Sequence, residues 1–223
     1  DNQSSSRIFR IPRNQDEENV LDTTSSWTGS FAQYGLKIST GPVVAFRAKS
    51  CLAAEKKENK EYAPLLWLHH VHPLRMEWPI KNLRKPQYIE VSDASEKLLV
   101  RNQNYVLIRR FSTKEERRRL IAAPYCENMI PSKDLGLENH LNYIYKKNGI
   151  LTKDEIWGIS ALLNCRMIDT YYRIFNGSTQ VGASEIASIP LPDWDIIRKI
   201  GARVQGLSDM DAIETTVETM LKS

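Results

Sequence analysis

The feature that most constrains this 223-residue chain is an apolar stripe in its second half. Between Thr152 and Phe175, residues Ile156, Ile159, Leu162, Leu163, Met167 and Ile168 recur at the three-and-four spacing of a helix with one buried face. Thr152 and Glu155 form a capping box at its start. The helix runs out in Tyr171-Tyr172-Arg173-Ile174-Phe175, and a polar turn follows, Asn176-Gly177-Ser178-Thr179-Gln180-Val181. Gly177 permits a positive φ there without a Cβ penalty. Ser184 caps a short helix that Pro190 and Pro192 stop. The turn thus holds Asn176, Ser178, Thr179 and Gln180 between two stiff elements. An amide side chain carries a donor and an acceptor together, which bidentate contact with an adenine edge requires. The same turn also reads as a polar connection closed by Asx and hydroxyl turns.

Ahead of the stripe, the chain has the alternation of strands. Residues 34–50 read as two strands around the Thr40-Gly41-Pro42 turn, with Val43, Ala45, Arg47 and Lys49 on one face and Val44, Phe46 and Ala48 on the other. Residues 63–71, 87–91, 105–111 and 141–145 read as further strands, and 53–62 as a charged surface excursion. Ser112 and Glu115 form another capping box, predicting a helix that ends before Pro124. Asp193 opens a helix to about Gln205, and Ser208 or Asp209 opens a last one through Leu221. The expectation is an α+β fold, a mixed twisted sheet with helices concentrated in the C-terminal half. It divides into a linker or N-terminal arm (1–26, with a short helix from Asp16 to Trp27), a central domain (27–192) and a C-terminal helical extension (193–223).

The net charge of +4 is unevenly placed. Residues 101–119 hold Arg101, Arg109, Arg110, Lys114, Arg117, Arg118 and Arg119 against Glu115 and Glu116. Such a patch suits a polyanion; it also reads as a solvated helix face with pairs such as Glu115–Arg118. His69, His70 and His72 raise the question of a metal, but no carboxylate or cysteine stands at helical spacing to complete a site, and polar strand-end histidines are the alternative. Cys51, Cys126 and Cys165 lie far apart, which suggests free thiols in a reducing cytoplasm. No apolar run approaches the length of a membrane span, and the polar start lacks a signal peptide's apolar segment. Because the first residue is Asp1, the chain is expected to be a piece of a longer protein.

Several stretches carry a resemblance when taken in order. They begin with Ile38-Ser39-Thr40-Gly41-Pro42-Val43-Val44, Phe46-Arg47-Ala48, Pro64-Leu65-Leu66-Trp67 and Glu77-Trp78-Pro79. Lys85-Pro86-Gln87-Tyr88-Ile89, Asn104-Tyr105-Val106-Leu107 and Arg109-Arg110-Phe111-Ser112 come next. Residues 114–120 and Gly136-Leu137-Glu138-Asn139-His140-Leu141-Asn142-Tyr143 continue the series, and Asn176–Val181 with Ile189-Pro190-Leu191-Pro192 closes it. Over roughly residues 27–200 this set resembles the C-terminal target recognition domain of the BsuBI/PstI branch of type II N6-adenine DNA methyltransferases. The last motif is also similar to the close of type I specificity-subunit recognition domains.

The resemblance implies a reader of double-stranded DNA, joined to an N-terminal catalytic domain of the same polypeptide that binds S-adenosyl-L-methionine and flips the adenine. This chain itself has no G-x-G turn and no Pro-Pro motif, so neither cofactor nor catalytic residue is expected here; Asp134-Leu135-Gly136-Leu137 reads as a loop. Expected DNA contacts are Arg47, Lys49, Arg109, Arg110, Arg117, Arg118, Asn139, His140, Asn142, Asn176, Gly177, Ser178, Thr179 and Gln180. The rival readings are half of a type I specificity subunit, which a long heptad helix after residue 192 would favour, and a metal-dependent nuclease built on His69, His70 and His72.

Overall fold

The computed structural model describes residues 12–112, 116–176 and 180–222. The chain opens with α1 (Gln15–Ser25), whose first turn is capped by the Asn14 side chain. The strands β1 (Leu36–Thr40), β2 (Leu52–Ala53), β3 (Tyr62–Leu66), β4 (Val71–His72), β5 (Arg75–Met76), β6 (Tyr88–Glu90), β7 (Leu99–Arg101) and β8 (Tyr105–Arg109) follow. Next come β9 (Ala122–Tyr125), β10 (Asp134–Leu137) and β11 (Leu141–Lys146). The helices α2 (Lys153–Asn164), α3 (Arg166–Phe175), α4 (Ala183–Ala187), α5 (Trp194–Val204) and α6 (Met210–Leu221) complete it. This is the expected α+β order, with the helices gathered in the C-terminal half.

The strands form two principal sheets rather than one. The first runs β1-β11-β8-β9, all antiparallel; the second runs β2-β6-β3-β10-β7, with β10 parallel to β3; β4 and β5 pair as a small ribbon. Period-two alternation sorts the side chains into layers. Val106, Ile108 and Ile144 point from the first sheet to the helices, while Tyr105, Leu107 and Leu141 point to Leu66, Leu135 and Leu137 of the second. Leu65, Ile89 and Ala63 line the far face of the second sheet, covered by Val43, Ala48 and Cys51. The result is helices on a sheet on a sheet.

The capping box at Thr152 forms as expected: Glu155 Oε2 accepts from Thr152 N at 2.8 Å and Thr152 Oγ1 from Glu155 N at 3.3 Å. The long helix divides, however, at Cys165, which is extended (ψ 154°) and ends α2 as it starts α3. The cause is tertiary. The side chain of Asn164, the last residue of α2, bonds the main chain of Ala122 both ways, its Nδ2 donating to O at 2.7 Å and its Oδ1 accepting from N at 3.3 Å. Glu214 then accepts from Arg166 N at 2.6 Å, capping α3 from another helix.

Other expectations fail for related reasons. The helix expected from Ser112 to Pro124 is absent from its described part: residues 116–121 bend and 122–125 form β9. The N–H groups of Arg119 and Leu120 go to Asp169, and Ile121 O accepts from Arg109 N, so the backbone is committed to a sheet edge. Residues 43–48 are not a strand: Val44 O takes the N–H groups of both Arg47 and Ala48, closing a turn. The strand expected over 63–71 stops at Leu66. The segment expected as a loop at 134–137 is β10. The short helix α4 is capped from Gly182, whose N–H donates to Glu185 at 2.9 Å, rather than by Ser184.

Beyond residue 192, Ile197, Ile200, Val204, Ile213 and Val217 lie in the same core as α2. Among the described residues after 192, α5 and α6 are two short helices rather than one long heptad helix. The helices α2 and α5 cross where both lack a side chain: a Cβ on Gly201 would fall 1.8 Å from Asp154 O, and one on Gly158 2.0 Å from Ile197 O. At the other end of the chain, Val20 and Leu21 of α1 pack on this core as well.

Candidate nucleic-acid interface

One end of the first sheet gathers polar side chains from distant parts of the chain. The β8–β11 register brings Arg109 opposite Leu141, so the strand ends 109–112 and 138–141 meet. Arg110 N donates to His140 O at 2.9 Å, and Val181 N donates to Arg110 O at 2.7 Å, docking the segment after the polar turn alongside. On the other side, Asn139 N donates to Val43 O at 2.9 Å, which brings in the turn carrying Phe46, Arg47 and Lys49.

Arg110 is the hub of this end. Its Nη1 donates to Asn139 O at 3.1 Å. With the Gln180 amide oxygen turned toward it, Nε and Nη2 donate to that oxygen at 3.2 and 2.6 Å. One guanidinium thus joins two segments while half-exposed beside Phe111. His140 packs on Phe111 with ring centroids 5.1 Å apart, and its Nδ1 lies 2.7 Å from Oε1 of the buried Glu138. His69 is exposed at the same end, and burial, then Lys85 and Arg109, hold its pKa below the ordinary histidine value.

The expected contacts separate accordingly. Arg110, Asn139, His140 and Gln180 stand together at this end, and Arg47 and Lys49 are exposed on the adjoining turn. Gly177, Ser178 and Thr179 lie outside the described residues. Asn142 is fully buried: its Nδ2 donates to Val181 O at 2.9 Å and its Oδ1 accepts from Thr40 at 2.9 Å, so its amide is spent inside the protein. Asn176 is also turned inward, bonding Tyr172 and Glu185. Arg109 donates through Nε to Val71 O at 2.6 Å and lies 3.7 Å from Glu116, so it fastens the first sheet to the ribbon.

The basic run does not form one patch. Arg118 pairs with Glu214 of α6 at 2.9 Å, with both side chains 19% exposed, and Arg119 is buried against Ser112 and Asp169. Arg117 points to the same helix, 4.0 Å from Asp211. The cleft that Arg117 and Arg118 share with α6 also holds Glu116, Asp211, Glu214 and Glu218, a mixed lining that does not suit a polyanion.

His70 contradicts the metal reading directly. It is buried, its Nδ1 accepts from Trp67 N at 2.7 Å, and its Nε2 faces Gln87 Oε1 at 3.0 Å. Burial pushes its pKa down to about 4. Among the described residues no three His, Cys, Asp or Glu side chains gather as a metal site would need, and no helix is long and apolar enough to cross a membrane. The sequence reading missed Glu138, His69, Lys85 and Phe111 as members of this end. The spacing of Glu138 and His140, two apart at a strand end, was the available sign.

The fold defined here is one found in a restriction enzyme. The solved structure of the type IIG restriction endonuclease BpuSI superposes on 94% of this chain with a TM-score of 0.54, using 33% of its own length, at 9% sequence identity. By sequence the chain is a homologue of type II methyltransferases of the BsuBI/PstI branch, as the ordered motifs indicated. It is 36% identical to M.BsuBI of Bacillus subtilis over 186 residues and 31% identical to M.PstI of Providencia stuartii over 197 residues. These alignments cover 83% and 88% of this chain but only 36% and 38% of the two relatives. No family model matches the chain.

Proposed function

We propose that this chain is the target recognition domain of a site-specific adenine-N6 DNA methyltransferase of a restriction-modification system, and that duplex DNA lies against the polar end of its first sheet. The homology to type II methyltransferases over most of the chain supports the class. The observation that carries the reading is the Arg110 hub, which sets Asn139 and His140 of one segment beside Gln180 of another. Guanidinium and amide groups are those that read base edges in the major groove. Arg47, Lys49 and Lys85 are assigned to phosphates, which fix register without reading sequence. Gly177, Ser178 and Thr179 stay among the proposed DNA contacts on the resemblance of the turn alone.

On this reading the S-adenosyl-L-methionine site and the pocket for the flipped adenine belong to another domain of a longer cytoplasmic polypeptide. The chain's own part is to bind and orient DNA, with no proton or methyl transfer of its own. The test is duplex binding by the isolated chain, followed by fluorescence anisotropy across a salt series. Affinity should fall linearly in log–log form, with a slope of about −0.9 per neutralised phosphate. Absence of duplex binding at low salt overturns the reading, as does S-adenosyl-L-methionine binding by the chain in calorimetric titration.

A further inference from the structure

Glu138 is a buried carboxylate, 1% exposed, whose hydrogen-bond donors among the described residues both come from His140. The backbone N of His140 donates to Oε2 at 2.9 Å, and Nδ1 lies 2.7 and 2.8 Å from Oε1 and Oε2. Burying a carboxylate is costly unless its partners are well placed. An ionised carboxylate only accepts, so Nδ1 must carry the proton. In the neutral ring the other nitrogen is then a lone pair, and a carboxylate behind a histidine fixes this choice of tautomer. The His140 side chain is 44% exposed, and no described residue bonds its Nε2. Phe111 packs on the ring at 5.1 Å and limits its rotation.

We propose that Glu138 is a positioning residue that presents His140 Nε2 outward as a hydrogen-bond acceptor for the exocyclic amino group of a base, adenine N6 or cytosine N4. In the major groove these amines are the donors that bases offer, so a fixed acceptor selects them against guanine O6 and thymine O4, which offer only lone pairs. The inference rests on the reading that this end faces duplex DNA.

The test uses the full chain in rounds of selection from randomised duplexes, with nitrogen-15 NMR of the His140 ring alongside. The wild type is expected to show the Nδ1-protonated tautomer and to select an adenine or cytosine at one position. His140→Ala should relax that position by about tenfold or more and leave the others selected. Purine in place of adenine, or 2-pyrimidinone in place of cytosine, deletes the amine and should cost the wild type a similar factor and His140→Ala nothing; the analogue that shows the effect identifies the base. Glu138→Gln offers one oxygen and an NH2 group, which allows Nδ1 to become the acceptor and Nε2 the donor. It should lose the preference at the same position. If Glu138→Gln fails to fold, the wild type with the analogue duplexes still decides. An Nε2-protonated ring in the wild type overturns the inference, as does indifference to amine deletion at every selected position. If His140→Ala keeps every preference while Gln180→Ala or Arg110→Ala relaxes some, this inference fails and the DNA-reading function stands. A chain that binds no duplex overturns both.

Discussion

Arg110 and Arg118 belong to one basic run but face different partners, and substitution should separate their duties. Arg118→Ala removes a half-buried pair with Glu214, a hydrogen bond between charged groups worth about 1–3 kcal/mol. For a chain of this size each kcal/mol shifts Tm by about 2–4 °C. The expected outcome is a lowered Tm with the slope of DNA affinity against salt unchanged. Arg110→Ala should instead relax sequence selectivity by about tenfold or more at one base pair. Equal effects of both on selectivity would return Arg118 to the interface. His70 gives a second residue-scale prediction. Its folded pKa of about 4 lies below the ordinary 6.5, so between those values the unfolded chain binds more protons. Stability should therefore be full above pH 6.5 and fall as pH drops toward 4, by at most about 1.4 kcal/mol per unit. His70→Asn, which keeps an acceptor for Trp67 N, should flatten that part of the profile in denaturant titrations at stepped pH.

Among the elements, the α2–α5 crossing is the tightest contact. Gly201→Val places a branched side chain where a Cβ already meets Asp154 O, so the helices must part; overpacking of this kind costs about 1–3 kcal/mol. Chemical denaturation should show the loss. The Glu155 carboxylate beside this crossing joins Lys146 of β11 at 2.8 Å and Trp194 of α5 at 3.1 Å. Burial alone would raise its pKa, but Lys146, the Thr152 N–H and Trp194 outweigh burial and lower it. What the sequence made legible at this scale was local. The Thr152 box, the Asp193 and Asp209 caps, the strands at 88–90, 105–109 and 141–146 and the surface excursion before Tyr62 all follow from neighbours in the chain. The break at Cys165, β9 and the failed helix after Ser112 depend on Asn164 and Asp169 reaching across to another strand, which no window of sequence contains. The candidate site divides the same way. Arg110 and Gln180 were identifiable by residue type, but the inward turn of Asn142 and Asn176 was not, because an amide suits a buried main-chain bond as well as a base edge.

At the scale of the whole molecule, the C-terminal helices are part of the core they close. Ending the chain at residue 192 would expose the faces that Ile197, Ile200, Val204, Ile213 and Val217 now cover. The truncated chain should lose its cooperative thermal transition and bind dyes that report exposed apolar surface; a sharp transition retained without α5 and α6 would mark them as an accessory. The polar end is fastened in another manner. Main-chain bonds ending on the carbonyls of Val43, His140 and Arg110 join its segments, and the Arg110 side chain adds bonds to Asn139 O and Gln180. A carbonyl is supplied by every amino acid, so these main-chain bonds do not depend on which side chains stand at Asn139, Phe46 or Lys49. Exchanging Asn139, Phe46 or Lys49 alters the displayed chemistry while the bolts stay in place. The rim is thus a row of replaceable type in a fixed composing stick, and retargeting begins there.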